Sequence, residues 1–230
     1  MIRGLLLDFY GTVAAEDDPI VADICARAAA LAGPPVTAQD IGHAWWRNFQ
    51  RDMARYTGAR FRSQRDIALR SLAEVLADFN LPGVPEELCA PQFEYWRRPE
   101  ILPDAYAFLA GLAAVTPEIP VCVLSNIDRG DVLAAIAHHR LPLPTVVSSE
   151  DARCYKPDAK MFGAGLAALG LAAQQVLHIG DSLAADVRGA RAAGIEMVWL
   201  NRAGRPVPAD LPGLAVAGTL VEVLPRLTAA

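Results

Sequence analysis

Five short runs of the chain are apolar with almost no alternation: Leu5-Leu6-Leu7, Pro120-Val121-Cys122-Val123-Leu124, Thr145-Val146-Val147, Val176-Leu177-His178-Ile179 and Glu196-Met197-Val198-Trp199-Leu200. A strand that shows no polar face is buried on both faces, which is the situation inside a parallel sheet covered by helices. The stretches 131–139, 158–169 and 184–193 are rich in Ala and Leu and predict crossover helices. The fold class expected is therefore α/β, a parallel sheet core flanked by helices. Ligands of such sheets gather beyond the carboxyl ends of the strands.

One interval lacks buried-strand runs. Between residues 15 and 98 the periodicity is helical: Trp45, Phe49, Met53 and Tyr56 share one face of a helix, and Arg47, Arg51 and Arg55 lie about 200° round from it. A second helix is predicted from Ser63 to Phe79, and Pro82, Pro85 and Pro91 punctuate the stretch beyond its end. The expected organisation is an α/β core made of 1–14 and 99–230, with an all-α insert at 15–98.

Composition narrows the class of partner. The chain has 230 residues, 21 basic against 26 acidic side chains and a formal charge of −5. Nucleic-acid-binding domains are usually basic, so nucleic acid is not an expected partner. No apolar run approaches the roughly 18 residues that cross a bilayer, and the N-terminal stretch lacks a signal-peptide cleavage pattern. Cys25, Cys89, Cys122 and Cys154 are far apart and form no C-x-x-C pair, which suits small buried thiols in a reducing compartment. A cytoplasmic protein, monomer or homodimer, without a membrane partner is expected.

Four polar elements stand directly after predicted strand ends. Asp8-Phe9-Tyr10-Gly11-Thr12 places a carboxylate at a strand terminus, and the N–H groups of the Gly11-Thr12 turn can face an anion. Ser125-Asn126 offers a hydroxyl and an amide, and Lys156-Pro157-Asp158 offers a point charge before a helix start. Gly180-Asp181-Ser182 carries a further acid, with Asp186 five residues on. Asp8, Asp181 and Asp186 together supply hard oxygen ligands suited to Mg²⁺. A strand-end Asp alone is ordinarily a cap or a turn residue, and Lys156 alone a solvated charge. The four elements carry a functional reading because one sheet brings all of them to the same edge.

In that order, Asp8-x-Tyr10-Gly11-Thr12, Leu124-Ser125-Asn126, Tyr155-Lys156-Pro157-Asp158 and Gly180-Asp181-Ser182-x-x-x-Asp186, the motifs resemble the haloacid dehalogenase superfamily of hydrolases. The likeness is to members with a helical cap inserted after the first strand. It implies a Rossmann-like core and a cap at 15–98. It implies that Asp8 is a nucleophile forming a covalent aspartyl intermediate, and that Ser125 and Lys156 hold the anionic group, with Asn126 assisting. It also implies that the main-chain carbonyl of Tyr10 joins Asp8, Asp181 and Asp186 around the metal.

The superfamily holds both Mg²⁺-dependent phosphatases and metal-free L-2-haloacid dehalogenases, and the motifs are mixed. Family phosphatases usually carry a second Asp where Tyr10 stands, and Tyr is typical of the dehalogenases. Those dehalogenases replace the Gly-Asp pair kept here as Gly180-Asp181, and place an arginine early in the cap, where residues 34–40 have none. Three carboxylates without a cation would raise at least one pKa and weaken the nucleophile. The expected activity is a Mg²⁺-dependent phosphatase acting on a small anionic metabolite. A 2-haloacid dehalogenase is the alternative, and a catalytically weakened binding module the second. Tyr10 also implies slow turnover of alkyl phosphates, since acid–base help contributes about 10²–10⁴-fold. Arg60 and Arg62, beside Thr57-Gly58 in an expected turn, are candidates for a second anionic group of the substrate. His178 is expected in the core, His138 and His139 at a helix end, and His43 with Trp45-Trp46 packed in the cap or on a dimer face.

Overall fold

Strand β1 (Gly4–Leu7) is fully buried and pairs in parallel with β2 (Val121–Ser125) on one side and β4 (Val176–Gly180) on the other. The structure is a computed structural model that describes residues 2–32 and 35–228; Met1, Gly33, Pro34, Ala229 and Ala230 lie outside the described residues. β3 (Thr145–Ser148), β5 (Glu196–Leu200) and β6 (Ala215–Ala217) complete a six-stranded sheet in the order β3-β2-β1-β4-β5-β6, every pairing parallel. This is a Rossmann-like α/β fold. Leu5 and Leu7 belong to one core cluster and Leu6 to another, so opposite faces of the strand are both dry. That explains the unbroken apolar runs.

Between β1 and β2 run α1 (Asp18–Ala32), α2 (Ala38–Arg55), α3 (Gln64–Asp78), α4 (Pro85–Arg97) and α5 (Pro103–Val115), with no strand among the described residues. Capping is local and readable: Thr37 and Asp40 form a reciprocal capping box on α2, and Ser63 accepts the Asp66 N–H at the start of α3. The two linkers that enter and leave α1–α4 pair with each other, Ala15 N–H donating to Glu100 O at 2.8 Å and Leu102 N–H to Val13 O at 3.0 Å. The rest of the chain forms α6 (Arg129–His139), α7 (Ser149–Ala152), α8 (Ala159–Leu169), a π-helical turn at Leu183–Val187 leading into α9 (Arg188–Ala192), and α10 (Leu224–Thr228).

The periodicity misses α5 and the short edge strand β6. It also reads 184–193 as one helix where the structure has a π turn followed by a single α turn. The buried face of α2 is Ile41, Ala44, Trp45, Asn48 and Asp52, not the stripe Trp45, Phe49, Met53 and Tyr56. Arg47, Arg51 and Arg55 are exposed. The four cysteines are buried free thiols. No described helix is long and apolar enough to cross a membrane.

Candidate active site

The carboxyl ends of β1, β2 and β4 converge on one spot. Asp8 follows β1 with its N–H bonded to Ile179 O, Ser125 ends β2, and Asp181 follows β4. Two glycines allow the carboxylates to crowd together. A Cβ on Gly11, whose φ is +85°, would stand 2.5 Å from Asp181 Oδ1 and 2.6 Å from Glu16 Oε1, and a Cβ on Gly180 would collide with the Asp186 carboxyl group. Ser182 caps the π turn by accepting the Ala185 N–H, and its own N–H donates to Asp186 Oδ2 at 3.1 Å. The turn thereby swings Asp186 back beneath β4, a use typical of π geometry at functional sites. Carboxylate oxygens of Asp8, Asp181 and Asp186 then lie within 4.8 Å of one another.

Lys156 is the counter-charge. Its ammonium, 4% exposed, donates to Asp8 Oδ1 at 2.5 Å and to Asp186 Oδ1 at 2.7 Å. Burial alone would lower its pKa, but Asp186 and then Asp8 outweigh burial and hold it above the ordinary lysine value. Burial would likewise raise Asp186, yet Lys156 and the His178 ring keep its carboxyl well below the usual range. Asp8 moves the other way: burial, helped by the Asp186 charge, raises it despite Lys156. Asp181 is raised from 3.8 to about 7, by desolvation first and then by Asp8 and Asp186. One lysine therefore fails to neutralise three acids. An all-oxygen donor set carrying surplus negative charge fits a hard divalent cation such as Mg²⁺.

Ser125 Oγ accepts the Ile127 N–H at 3.2 Å, which leaves its proton free to donate. Asn126 lines the cleft, but its amide is committed to the lysine loop: Oδ1 accepts the Lys156 N–H at 2.7 Å and Nδ2 donates to Lys156 O at 3.4 Å. These two bonds fix the Asn126 side chain against the loop that carries Lys156. Thr12, fully buried, donates to Asp181 Oδ1 at 3.4 Å; neither Gly11 nor Thr12 lines the cleft. The Tyr10 hydroxyl donates to Trp96 O, and burial with nearby Asp131 and Asp17 pushes its pKa far up. That hydroxyl is therefore not placed to act as an acid–base group.

Above these groups lies a cavity of about 830 Å³ between the strand ends and α1, α2 and α4. Phe49 and Met53 look into it, as does Trp46, which is exposed and not packed in a core. Arg60 and Arg62 are not among its lining residues, which overturns the expectation placed on them. Arg60 is exposed. Arg62 sits over the Tyr56 ring at 5.1 Å, and its backbone carbonyl accepts the Tyr155 hydroxyl at 2.6 Å.

Four residues that the motifs did not single out shape the site. His178 is in the core as expected, but its Nε2 lies 3.0 Å from Asp186 Oδ1 and its Nδ1 3.1 Å from Leu6 O. Arg202 donates to the carbonyls of Gly11 and Thr12 at 2.8 Å each and grips Asp104 with two bonds of 2.9 Å, fixing the turn after Asp8. Arg65 makes a forked pair with Asp131 (2.6 Å twice), and the N–H groups of Gln64 and Arg65 donate to Asp128, so the start of α3 is fastened to α6. Glu16 lines the cavity, its carboxyl raised to about 9 by desolvation and then by Asp181, Asp8, Asp17 and Asp18. His178 alone had a sequence signal, a polar residue inside an apolar strand run.

Comparison with known proteins gives the family and the fold. The family model for haloacid dehalogenase-like hydrolases matches residues 2–194. A phosphoserine phosphatase of Thermus thermophilus is 37% identical over 153 residues, 61% of this chain and 58% of the phosphatase, so the chain spans little more than half of that relative. An (S)-2-haloacid dehalogenase of Pseudomonas sp. (strain YL) is 27% identical over 213 residues, 88% of this chain and 84% of the dehalogenase. The L-2-haloacid dehalogenase structure from Xanthobacter autotrophicus superposes with a TM-score of 0.72 over 99% of this chain and 98% of that one, at 23% identity, a likeness of fold. With a match that runs from β1 past the acidic turn after β4, on a sheet whose strand ends gather the motif residues, the chain belongs to the haloacid dehalogenase-like hydrolases.

Proposed function

We propose that this hydrolase is a Mg²⁺-dependent phosphatase of small phosphorylated metabolites, cytoplasmic, with segment 15–98 serving as a cap over the site. The observation that carries the reading is the surplus of carboxylate at the strand ends, with Asp8, Asp181 and Asp186 within 4.8 Å and Lys156 the one ammonium or guanidinium paired with their carboxylates among the described residues. Displacement of halide uses a nucleophile and one further acid to activate water, and has no use for a third carboxylate, whereas a phosphoryl dianion needs the surplus neutralised.

Asp8, Asp181, Asp186 and the carbonyl of Tyr10 would hold the ion, which when bound supplies positive charge to the phosphoryl oxygens. Asp8 attacks phosphorus with a carboxylate oxygen, the bond from phosphorus to the leaving oxygen breaks, and an aspartyl phosphate forms. Water then attacks that phosphorus, releasing inorganic phosphate and restoring the carboxylate. Lys156 and the Ser125 hydroxyl hold the phosphoryl oxygens through the charge change. Asn126 keeps the Lys156 loop in register. Tyr10 donates no proton to the leaving group, because its hydroxyl is bonded to Trp96 O.

Tyr10 and the 84% coverage of the haloacid dehalogenase relative favour halide displacement as the second reading. Against it, the described cavity lining offers no arginine to bind a 2-haloacid carboxylate. Phosphate release from p-nitrophenyl phosphate, with Mg²⁺ and with EDTA, is measured beside chloride release from L-2-chloropropionate. Magnesium-dependent phosphate release is expected. Chloride release that survives EDTA would reverse the assignment.

A further inference from the structure

Within the phosphatase reading just given, on which this inference rests, the cavity also specifies what is attached to the phosphate. We propose that the leaving group is aromatic and bears no negative charge, so that neutral and ammonium-bearing aryl phosphates are the substrate class.

The cavity has two unlike walls. Its floor is the strand-end cluster of Asp8, Asp181, Asp186 and Lys156. Facing the floor, α2 presents Trp46, Phe49 and Met53 to the open space. Trp46 is 59% exposed, and its ring lies 5.9 Å from that of Phe49 at an interplanar angle of 12°, a stacked platform left open to solvent. Two large aromatic rings at the mouth of a cleft form the kind of surface that a flat apolar group covers.

Charge settles what that group can carry. Among the described lining residues Lys156 is the one cation, and it already bridges Asp8 and Asp186. Nearby arginines are turned elsewhere: the guanidinium groups of Arg55, Arg62 and Arg70 lie 5.5, 5.1 and 5.3 Å from the centre of the Tyr56 ring, outside the cavity lining. Glu16, Asp17, Asp18 and Asp158 line the same space. A carboxylate or second phosphate on the leaving group would meet four acids and no second lysine or arginine among the described lining residues, whereas an ammonium group would meet acceptors. The departing phenolate fits the same picture, because it can leave with the P–O electron pair unprotonated where Tyr10 gives no proton.

The test uses three aryl phosphates that differ in the para substituent: ethyl, 2-aminoethyl and carboxymethyl. Phosphate release in Mg²⁺ gives kcat/KM, and quenching of tryptophan fluorescence in Asp8→Asn gives Kd without turnover. The ethyl and aminoethyl esters are expected to exceed the carboxymethyl ester at least fivefold in both measurements. Trp46→Ala, at an exposed position that spares folding, is expected to lower kcat/KM for the ethyl ester more than for acetyl phosphate. A carboxymethyl ester within fivefold of the others, or equal losses in Trp46→Ala, overturns the inference while leaving the phosphatase standing. No phosphate from any ester, with chloride released from L-2-chloropropionate, overturns both.

Discussion

Replacing Asp181 by asparagine is expected to stabilise the metal-free protein. The carboxyl group rises from 3.8 to about 7 on folding, through desolvation and the charges of Asp8 and Asp186. A group whose folded pKa is raised binds more protons in the folded state. It therefore costs no stability below about pH 4, costs progressively more up to about pH 7, and costs its full amount above that. At about 1.4 kcal/mol per pH unit the rise corresponds to about 4 kcal/mol. Asp181 is only half-buried, so solvent screening reduces the usable figure to about 2 kcal/mol. The Thr12 hydroxyl, 3.4 Å from Asp181 Oδ1, remains satisfied by the amide oxygen of the variant. For a chain of this length each kcal/mol moves Tm by about 2–4 °C. In EDTA at pH 8, Asp181→Asn should thus melt about 4–8 °C above the parent, and the two should converge near pH 4–5. Millimolar Mg²⁺ should raise the Tm of the parent but not of the variant. Differential scanning calorimetry across pH, with EDTA and with Mg²⁺, reads both effects. An Asp181→Asn protein that melts at or below the parent at pH 8 in EDTA, or that keeps the full magnesium increment, would refute the account of the acidic cluster.

Lys156→Met leaves two buried carboxylates without their shared ammonium, and breaking such a pair costs about 3–5 kcal/mol; Tm at pH 8 should fall by about 10 °C, partly restored at pH 5, and phosphate release should fall at least about a hundredfold. An unchanged melt would show that the two bonds to Asp8 and Asp186 contribute nothing net. Arg65→Ala unfastens α3 from α6 and leaves Asp131 buried and unpaired, a loss of about 1–3 kcal/mol; amide exchange at 58–65 should quicken and KM should rise severalfold more than kcat falls. Unaltered exchange there would show that the pair does not hold α3 against α6. Arg60→Ala should leave KM within about twofold of the parent, because that side chain does not reach the cavity; a tenfold rise would return Arg60 to the binding site.

The strand ends were legible in the sequence. A parallel strand buried on both faces needs an apolar run, and an acid or hydroxyl immediately after such a run is placed by the strand itself. Asp8, Ser125 and Asp181 could therefore be located without knowing any packing. Lys156 and Asp186 are fixed by short connections from β3 and β4, and Gly11 and Gly180 mark two points at the site where another chain segment presses against the backbone. Arg202 and Glu16 were not legible. Each reaches the site from a distant or irregular segment, Arg202 donating to Gly11 and Thr12 from 191 and 190 residues away in sequence, and no local pattern records such a meeting.

The helices of segment 15–98 show most clearly where the sequence stops. On α2, hydrophobic periodicity separates apolar from polar positions but knows only two environments. The helix in fact faces three, namely a packed core at Ile41, Ala44 and Trp45, an open cavity at Trp46, Phe49 and Met53, and solvent at Arg47 and Arg55. Core and cavity both take apolar residues, so one stripe on a helical wheel cannot divide them. The rotation of α2 against α3 and α1 decides it, and with it the direction in which the arginines point. The local chemistry of strand and turn determined where Asp8 and its counter-charge Lys156 stand. Only long-range packing decided what surrounds them, because the free energy that orients a helix is summed over contacts with segments that the sequence does not place side by side.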